Sequence, residues 1–517
     1  MTRERSRTIV LSWLALTSLL LPAAVFAQSA TEGPGLLDSR LTYANDVERA
    51  AAAANQATFD ALDTQCNPNG QLDTIAAPSE ELRPGGCTSL QFFVYLTTRE
   101  LVHSANALLG EGPTVASLNV TEQGLGTALR WTAAEELAVQ GSMATQFSSN
   151  QLSNLATRLT ALRAGASGFT VAGLNDLPES WRHAAIAGLS LSENGNSGTT
   201  LGRWGGFVNA SLGNGDKSPT GNENAFDYDT QELTLGLDYR IGNATVVGGM
   251  LGISRQDVEF VPDSNRISVV DGSIEGDGTS VIVFIMTSTD RWYASASLGS
   301  QQIDYALERD IRYPSFNPNV ADSNSRATSE PEASVTTATA ALGYTWAPGA
   351  WQIEPYIGFE YLDVTIDAFD EARSFNALSG QIDSDAFNLV IAEQTFQSLD
   401  SNIGLRLQYT LTPSWGVAAP YLNLAYHREL QNDPRVIEAR YAGAGNEAFA
   451  FAVQTDPFDS DYFTWAVGVS AVVRGARERR YGGSAGRGIS VFTQFEAVER
   501  LDFYSEQIIS AGLRYEF

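Results

Sequence analysis

Histidine and cysteine, the side chains that most often bind metals or form crosslinks, are few in this sequence. The histidines are His103, His183 and His427, and the cysteines are Cys66 and Cys87. No two histidines have the spacing of metal ligands, and zinc on the cysteines would need two further ligands. A Gly-Asp-Ser motif, which is typical of one class of esterases, is also absent. We therefore predict no catalytic residue, no metal site and no cofactor.

The two cysteines predict a disulfide bond. They flank a loop rich in Pro, Gly and Asn, "CNPNGQLDTIAAPSEELRPGGC". An even number of closely spaced cysteines in an exported protein is typical of a crosslink, and such a loop has much conformational entropy to lose. We expect Cys66 and Cys87 to be bonded to each other.

The first 27 residues predict a signal peptide. Three arginines precede an apolar segment, and Val25 and Ala27 are the small residues of a signal-peptidase site, with cleavage after Ala27. A membrane anchor is the alternative, but the apolar segment is short and polar sequence follows it at once. We expect an exported protein.

Charge excludes one class of partner. The chain of 517 residues has a formal net charge of −28. Nucleic-acid binding requires a basic surface that neutralises phosphates. We therefore expect no nucleic-acid partner.

Residues 28–168 predict a helical domain. Its last long segment places Leu152, Leu155, Leu159 and Leu162 three and four residues apart, opposite a face of Ser, Asn, Thr and Arg. His103 lies within another helical apolar pattern, which favours a core position over a catalytic one. Residues 169–202 predict a linker with at most a short helix.

Residues 203–517 predict an antiparallel β-structure, because the apolar residues now alternate with a period of two. In "ELTLGLDYRI", Leu233 and Leu235 share one face while Glu232 and Asp238 share the other. The same pattern recurs in about twelve segments, which include "IEPYIGFEYLDV", "NIGLRLQYTL" and "FTWAVGVSAVV".

The connections favour a transmembrane barrel over a water-soluble sandwich. Links after the second, fourth, sixth and eighth segments are short, whereas those after the first, third, fifth, seventh and ninth are long and polar. Short periplasmic turns and long external loops are typical of outer-membrane barrels. Aromatic residues near the segment ends, such as Tyr239 and Trp346, suit a membrane interface. We predict a barrel of about twelve antiparallel strands that contacts outer-membrane lipid.

The C-terminal residues "ISAGLRYEF" predict a closing strand with one apolar face. That face consists of Ile509, Ala511, Leu513, Tyr515 and Phe517. A terminal aromatic residue after alternating apolar residues resembles the signal that the barrel-assembly machinery recognises. We expect that machinery to be a partner.

The segment from about residue 203 to 517 resembles the autotransporter β-domain, the translocator barrel of type V secretion. The likeness rests on "GGFVNASLGNGDKSPTGNENAFDYDTQELTLGLDYRIGNATVVGGMLGISRQD", on "EPYIGFEYLDV" and on "SAGLRYEF". The resemblance implies a twelve-stranded barrel in the outer membrane of a Gram-negative bacterium, crossed by a helix that links it to an N-terminal passenger. The helical passenger of about 150 residues departs from the β-helical passengers common in that family.

We predict that a helix occupies the pore. The inward face carries polar residues, Glu232, Asp238, Glu354, Glu360 and Arg406, and repeated glycines that either widen the lumen or let the strands coil. The preferred helix is 144–165, whose Arg158 and Arg163 could meet wall carboxylates. A segment around Trp181 to Leu189 is the alternative.

These features predict a barrel that anchors a small helical domain in the outer membrane. The barrel could also display this domain on the cell surface, where its ligand is unknown. One rival is a passive porin-like channel with the helical domain in the periplasm. Another is a surface hydrolase with an unrecognised site in residues 28–200.

Overall fold

The computed structural model describes two parts of the chain, a helical part and a β-rich part. The described residues are 33–165, 204–242, 244–261, 272–373, 385–413, 417–431, 433–447, 450–457, 459–474 and 489–516. The predicted signal peptide with its cleavage site at Ala27, the predicted linker 169–202, His183 and Phe517 all lie outside the described residues.

Four α-helices form the N-terminal part. They are α1 (Asp46–Cys66), α2 (Ser89–Leu109), α3 (Glu122–Ala133) and α4 (Val139–Gly165). Asn45 caps α1, and Thr88 forms a capping box with Gln91 at the start of α2. A short 3-10 segment, Glu135–Ala138, joins α3 to α4.

The disulfide prediction is confirmed. Cys66, the last residue of α1, is bonded to Cys87, which lies two residues before α2. The Cα atoms are 5.0 Å apart, and both residues are buried. The bond therefore holds the facing ends of α1 and α2 together across the intervening loop.

We expect the double substitution Cys66→Ser/Cys87→Ser to lower the free energy of unfolding of the helical part by about 3 kcal/mol, because a closed loop of this length restricts the unfolded chain. Thermal unfolding followed by circular dichroism at 222 nm measures the change. Reduction of the native protein with dithiothreitol should give the same shift and should leave the double variant unaffected. Equal melting with and without reductant would contradict the prediction.

Twelve long strands form a closed antiparallel barrel, as predicted. They are β1 (Trp204–Lys217), β2 (Phe226–Ile241), β3 (Thr245–Phe260), β4 (Gly272–Ser288), β5 (Trp292–Tyr313), β6 (Glu332–Tyr344), β7 (Trp351–Ile366), β8 (Gln394–Tyr409), β9 (Val417–Glu429), β10 (Asp461–Arg474), β11 (Ile489–Glu499) and β12 (Tyr504–Glu516). Each strand pairs with its sequence neighbour, and β1 pairs with β12 through the register Ser211 to Ser510. Closure leaves no free edge in the barrel, as a lipid environment requires.

The two ends of the barrel differ. The connections after β2, β4, β6 and β8 are short, whereas most of those at the opposite end are long and carry further structure. The loops after β7 and β9 build a four-stranded sheet from Phe369–Asp370, Leu389–Ile391, Val436–Tyr441 and Phe451–Gln454. We call the end with the long loops the loop mouth and the other end the turn end. The predicted turn after the tenth strand lies outside the described residues.

The outer surface has the apolar band and aromatic belt of a membrane barrel. Outward residues such as Leu298 and Ile403 expose 63% and 66% of their surface. Exposed and half-exposed aromatic residues cluster at the turn end: Trp204, Tyr239, Trp292, Tyr344, Trp346, Trp351 and Tyr409. Such a belt is typical of the boundary between hydrocarbon and headgroups.

Candidate functional site in the barrel lumen

Helix α4 lies inside the barrel and runs from the loop mouth towards the turn end. Near its start, the Ser142 hydroxyl is 2.9 Å from the hydroxyl of Tyr504, the first residue of β12. Near its end, Arg158 forms an ion pair with Asp238, three residues before the end of β2 at the turn end. The preferred pore segment, 144–165, therefore lies in the lumen.

Polar side chains of α4 bond to the barrel wall along its length. Asn154 donates to the Glu232 carboxylate at 2.9 Å, and Ser149 donates to Glu360 at 3.1 Å. Ser148 lies 3.2 Å from Gln301, and Ser153 lies 3.1 Å from Glu496. These bonds satisfy buried polar groups on both partners, so they fix the position of the helix in the lumen.

Arg158 and Asp238 add a buried ion pair to this set. Both side chains are about 4% exposed, and the Arg158 guanidinium also lies 4.4 Å above the Phe207 ring centroid. A charged hydrogen bond in a water-poor lumen is stronger than one at a surface.

The other predicted wall residues have different partners. Glu354 accepts hydrogen bonds from Thr345 and Gln352, both at 2.9 Å. Arg406 stacks its guanidinium on the Tyr421 ring, 3.9 Å from the centroid. The side chain of Arg163 and the alternative segment around residues 181–189 lie outside the described residues.

The inward glycines serve two purposes. Most inward glycines are covered by a side chain from the neighbouring strand; Gly236, for example, lies under the ring of Phe207. Gly252 and Gly278 instead face α4, and a Cβ there would lie 2.2 Å from Gln151 and 1.9 Å from the Phe147 ring. These two glycines let the helix approach the wall, and nothing in the local pattern distinguishes them from the others.

Helix α4 does not fill the lumen. It contacts β2, β3, β4, β6 and β7, and a cavity of about 440 Å³ remains beside it. The carboxylates of Glu360, Asp400, Glu429, Glu496 and Glu506 line this cavity. Residues of the long loops, including Asp433 and Asp459, line its upper part, so the cavity continues towards the loop mouth.

Helices α1 to α3 pack on the loop mouth. Tyr441 donates to Asn55 at 2.8 Å, and the Asn317 side chain donates to the Ser117 carbonyl at 2.8 Å. Arg309 forms a bidentate ion pair with Glu371, at 2.8 and 2.6 Å, and also donates to the carbonyl of Trp131. Buried apolar residues of the helices and of the mouth belong to one continuous cluster. The helical part is therefore firmly docked at this end.

His103 lies in the core of the helical part, as its pattern indicates. It is 1% exposed, and its Nδ1 accepts a hydrogen bond from the backbone of Ala116 at 3.2 Å. Burial lowers the pKa of His103 to about 3, so the imidazole is neutral. This environment supports the packing of the α2–α3 connection and gives no access to a substrate.

Two features are absent from the described residues. Among them, no group of three or more His, Cys, Asp or Glu side chains is arranged to bind a metal ion. None of the described helices has the length and hydropathy of a membrane-spanning helix.

Comparison with known families agrees with this architecture. The autotransporter β-domain model matches residues 206–477, more than half of the chain. The chain therefore belongs to the autotransporter β-domain family, and its barrel is an outer-membrane barrel.

Individual relatives match only in part. The chain is 30% identical over 146 residues to an uncharacterized protein in the trpE-trpG intergenic region of Pseudomonas putida, covering 27% of this chain and 22% of that protein. It is 25% identical over 243 residues to Esterase EstA of Pseudomonas aeruginosa, covering 45% of this chain and 32% of EstA. The chain thus spans about a third or less of the length of these relatives.

Among solved structures, the translocator domain of the autotransporter NalP from Neisseria meningitidis is similar. The match has 14% identity and a TM-score of 0.42 and covers 62% of this chain and 90% of that domain.

Proposed function

We propose that the barrel anchors this chain in the outer membrane and displays helices α1 to α3 on the cell surface. The observation that supports the proposal is the docking of these helices on the loop mouth, with α4 entering the pore from the same end. Long loops of outer-membrane barrels lie outside the cell, and short turns lie in the periplasm. A domain held by the long loops is then extracellular, and α4 is the link that crosses the membrane through the pore.

The proposal includes two partners. Outer-membrane lipid covers the apolar band, and the barrel-assembly machinery inserts the barrel, for which the face of Ile509, Ala511 and Leu513 on β12 is the candidate signal. The rival is a porin-like channel whose helical domain stays in the periplasm, and it requires the loop mouth to face inwards.

Single added cysteines test the orientation, because both native cysteines are bonded and the chain contains no others. We expect Glu81→Cys, on the exposed surface of the helical part, to react with a membrane-impermeant maleimide on intact cells. Asn319→Cys, in the long loop after β5, is the positive control. Asp290→Cys, in the short turn after β4, should react only after the outer membrane is permeabilised.

The reverse pattern, with Asp290→Cys labelled on intact cells and Glu81→Cys protected, would overturn the proposal and favour the periplasmic rival. External protease gives a second measurement. Display predicts that proteinase K on intact cells attacks the helical part more readily after the disulfide is reduced.

A further inference from the structure

Three side chains on adjacent strands form a hydrogen-bonded chain on the lumen wall. Nδ1 of His427 on β9 lies 2.6 Å from the carboxylate of Asp400 on β8. Its Nε2 lies 3.0 Å from the hydroxyl of Thr464 on β10. His427 is directly opposite Asn402 on β8 and Tyr462 on β10, so both partners are diagonal neighbours two residues along.

The three hydrogen-bonded residues differ in burial. Asp400 is 7% exposed, whereas His427 and Thr464 are half-buried and line the cavity beside α4. The ring of Tyr462 stacks on the imidazole, with centroids 4.5 Å apart and planes 11° apart. The nearby carboxylates of Glu360 and Glu429 accept hydrogen bonds from Ser149 and Ser398 instead. The imidazole is thus held in one plane between one carboxylate and one hydroxyl.

This order of groups is the one that activates a hydroxyl for nucleophilic attack. A carboxylate that accepts from Nδ1–H fixes the tautomer in which Nε2 is the base, and Nε2 then removes the hydroxyl proton as the oxygen attacks. We propose that Thr464 and His427 are catalytic residues of an acyl-ester hydrolase site in the lumen, with Asp400 as the positioning residue.

The cavity determines the substrate class. A volume of about 440 Å³ suits a small molecule, and the carboxylates along the wall disfavour anions. The site should therefore take small neutral or cationic esters, which enter from the loop mouth. The amide groups of Asn402 and Asn423 line the same cavity and carry N–H donors for a developing oxyanion.

The reaction proceeds in two balanced steps. The Thr464 oxygen bonds to the acyl carbon, its proton moves to Nε2 of His427, and that proton passes to the departing alkoxide as the ester C–O bond breaks. Water then attacks the threonyl ester and gives one proton to His427. The acid leaves, and the Thr464 hydroxyl is restored by the proton from His427.

The test uses the full-length protein in detergent micelles, with p-nitrophenyl acetate as the neutral probe and acetylthiocholine as the cationic one. We expect Thr464→Ala and His427→Ala each to lower kcat/KM by about 100-fold or more. Thr464→Ser should retain activity, because it keeps the hydroxyl. Thr337→Ala, which removes a buried hydroxyl of β6 that does not line the cavity, should leave the rate unchanged.

The variant Asp400→Asn tests whether Asp400 orients His427 or only stabilises the barrel. It should lower kcat with little change in KM, because the cavity remains while the tautomer of His427 is no longer fixed. A variant that merely distorts the barrel would lose the heat-modifiable electrophoretic band of a folded barrel instead.

Covalent labelling gives a readout that does not depend on turnover. A fluorophosphonate should add its phosphonyl group to the peptide containing Thr464, and His427→Ala should abolish the adduct. Equal hydrolysis by the native protein and Thr464→Ala, together with no adduct on Thr464, would overturn the proposal. The three residues would then only hold β8, β9 and β10 together.

Discussion

Replacing Arg158 with alanine should lower the free energy of unfolding by about 3–5 kcal/mol. The substitution leaves the Asp238 carboxylate buried without its cation, and it also removes the guanidinium from the face of Phe207. The cost of an unpaired buried charge exceeds the gain from the pair itself. Urea unfolding in detergent micelles, followed by tryptophan fluorescence, measures the loss.

The ion pair of Arg49 with Asp46 on α1 provides a matched control. It joins the same residue types but is exposed, with 64% and 71% of the two side chains accessible. We expect Arg49→Ala to cost no more than about 1 kcal/mol, because water screens exposed pairs. Similar costs for Arg49→Ala and Arg158→Ala would show that Arg158 does not hold α4 in the lumen.

A double-mutant cycle isolates the pairwise energy. Arg158→Ala combined with Asp238→Ala should cost less than the sum of the two single changes, because the double variant buries no lone charge. Single-channel conductance reports on the same contact independently. Conductance should rise in Arg158→Ala, because the end of α4 near the turn end is held less firmly. Deletion of residues 28–200 removes α4 altogether and should give the highest conductance. Unchanged conductance in both variants would contradict a pore helix.

The barrel was predictable because lipid requires an apolar outer face. Outward residues such as Leu235 and Ile403 alternate with polar inward ones, and this alternation predicts the strands across the membrane. The alternation no longer marks the strands where they extend past the lipid towards the loop mouth. In β1 the apolar alternation ends at Leu212, whereas the strand continues to Lys217. There both faces meet polar or protein surroundings, so the apolar signal stops before the strand does.

The arrangement of Asp400, His427 and Thr464 was not predictable from spacing. The residues are separated by 27 and 37 positions, and the loop after β9 carries two strands of a separate small sheet. Only the register of β8, β9 and β10 makes them diagonal neighbours. Local sequence patterns do not determine this register across long loops.

The charged groups beneath the helical part were also not predictable. Arg309 and Glu371 are 62 residues apart in sequence and 3% and 2% exposed in the structure. From sequence alone, both look like ordinary polar residues of external loops. Their burial depends on the docking of α3 over β5, a tertiary contact without a local signature.

The buried carboxyl group of Glu136 makes the stability of this interface depend on pH. It lies in the 3-10 segment before α4 and is 3% exposed, and neither carboxylate oxygen has a hydrogen-bond partner among the described residues. Burial raises its pKa from 4.5 to about 8, although the nearby Arg309 opposes the shift and Glu135 and Glu371 add to it. The group is therefore protonated in the folded protein at neutral pH.

The sign of the effect follows from proton linkage. Between pH 4.5 and about 8, the folded state retains a proton that the unfolded state releases. Stability must then fall as the pH rises through this interval and level off above it. A shift of this size corresponds to a few kcal/mol at most. Glu100, whose burial also raises its pKa to about 8, contributes in the same direction.

We expect Glu136→Gln to raise the free energy of unfolding at pH 8.5 by about 2–4 kcal/mol and to leave it nearly unchanged at pH 5. Glutamine has the shape of the protonated acid and cannot ionise, so the variant loses part of the pH dependence. Glu81→Gln, on the exposed 3-10 turn Glu80–Leu82, is the matched control and should change neither value. Thermal unfolding at 222 nm between pH 5 and 9 measures all three proteins. If Glu136→Gln follows the native pH dependence, the carboxylate is not the buried neutral acid of this interface. Adding Glu100→Gln should reduce the remaining slope further, because this acid then no longer retains a proton on folding.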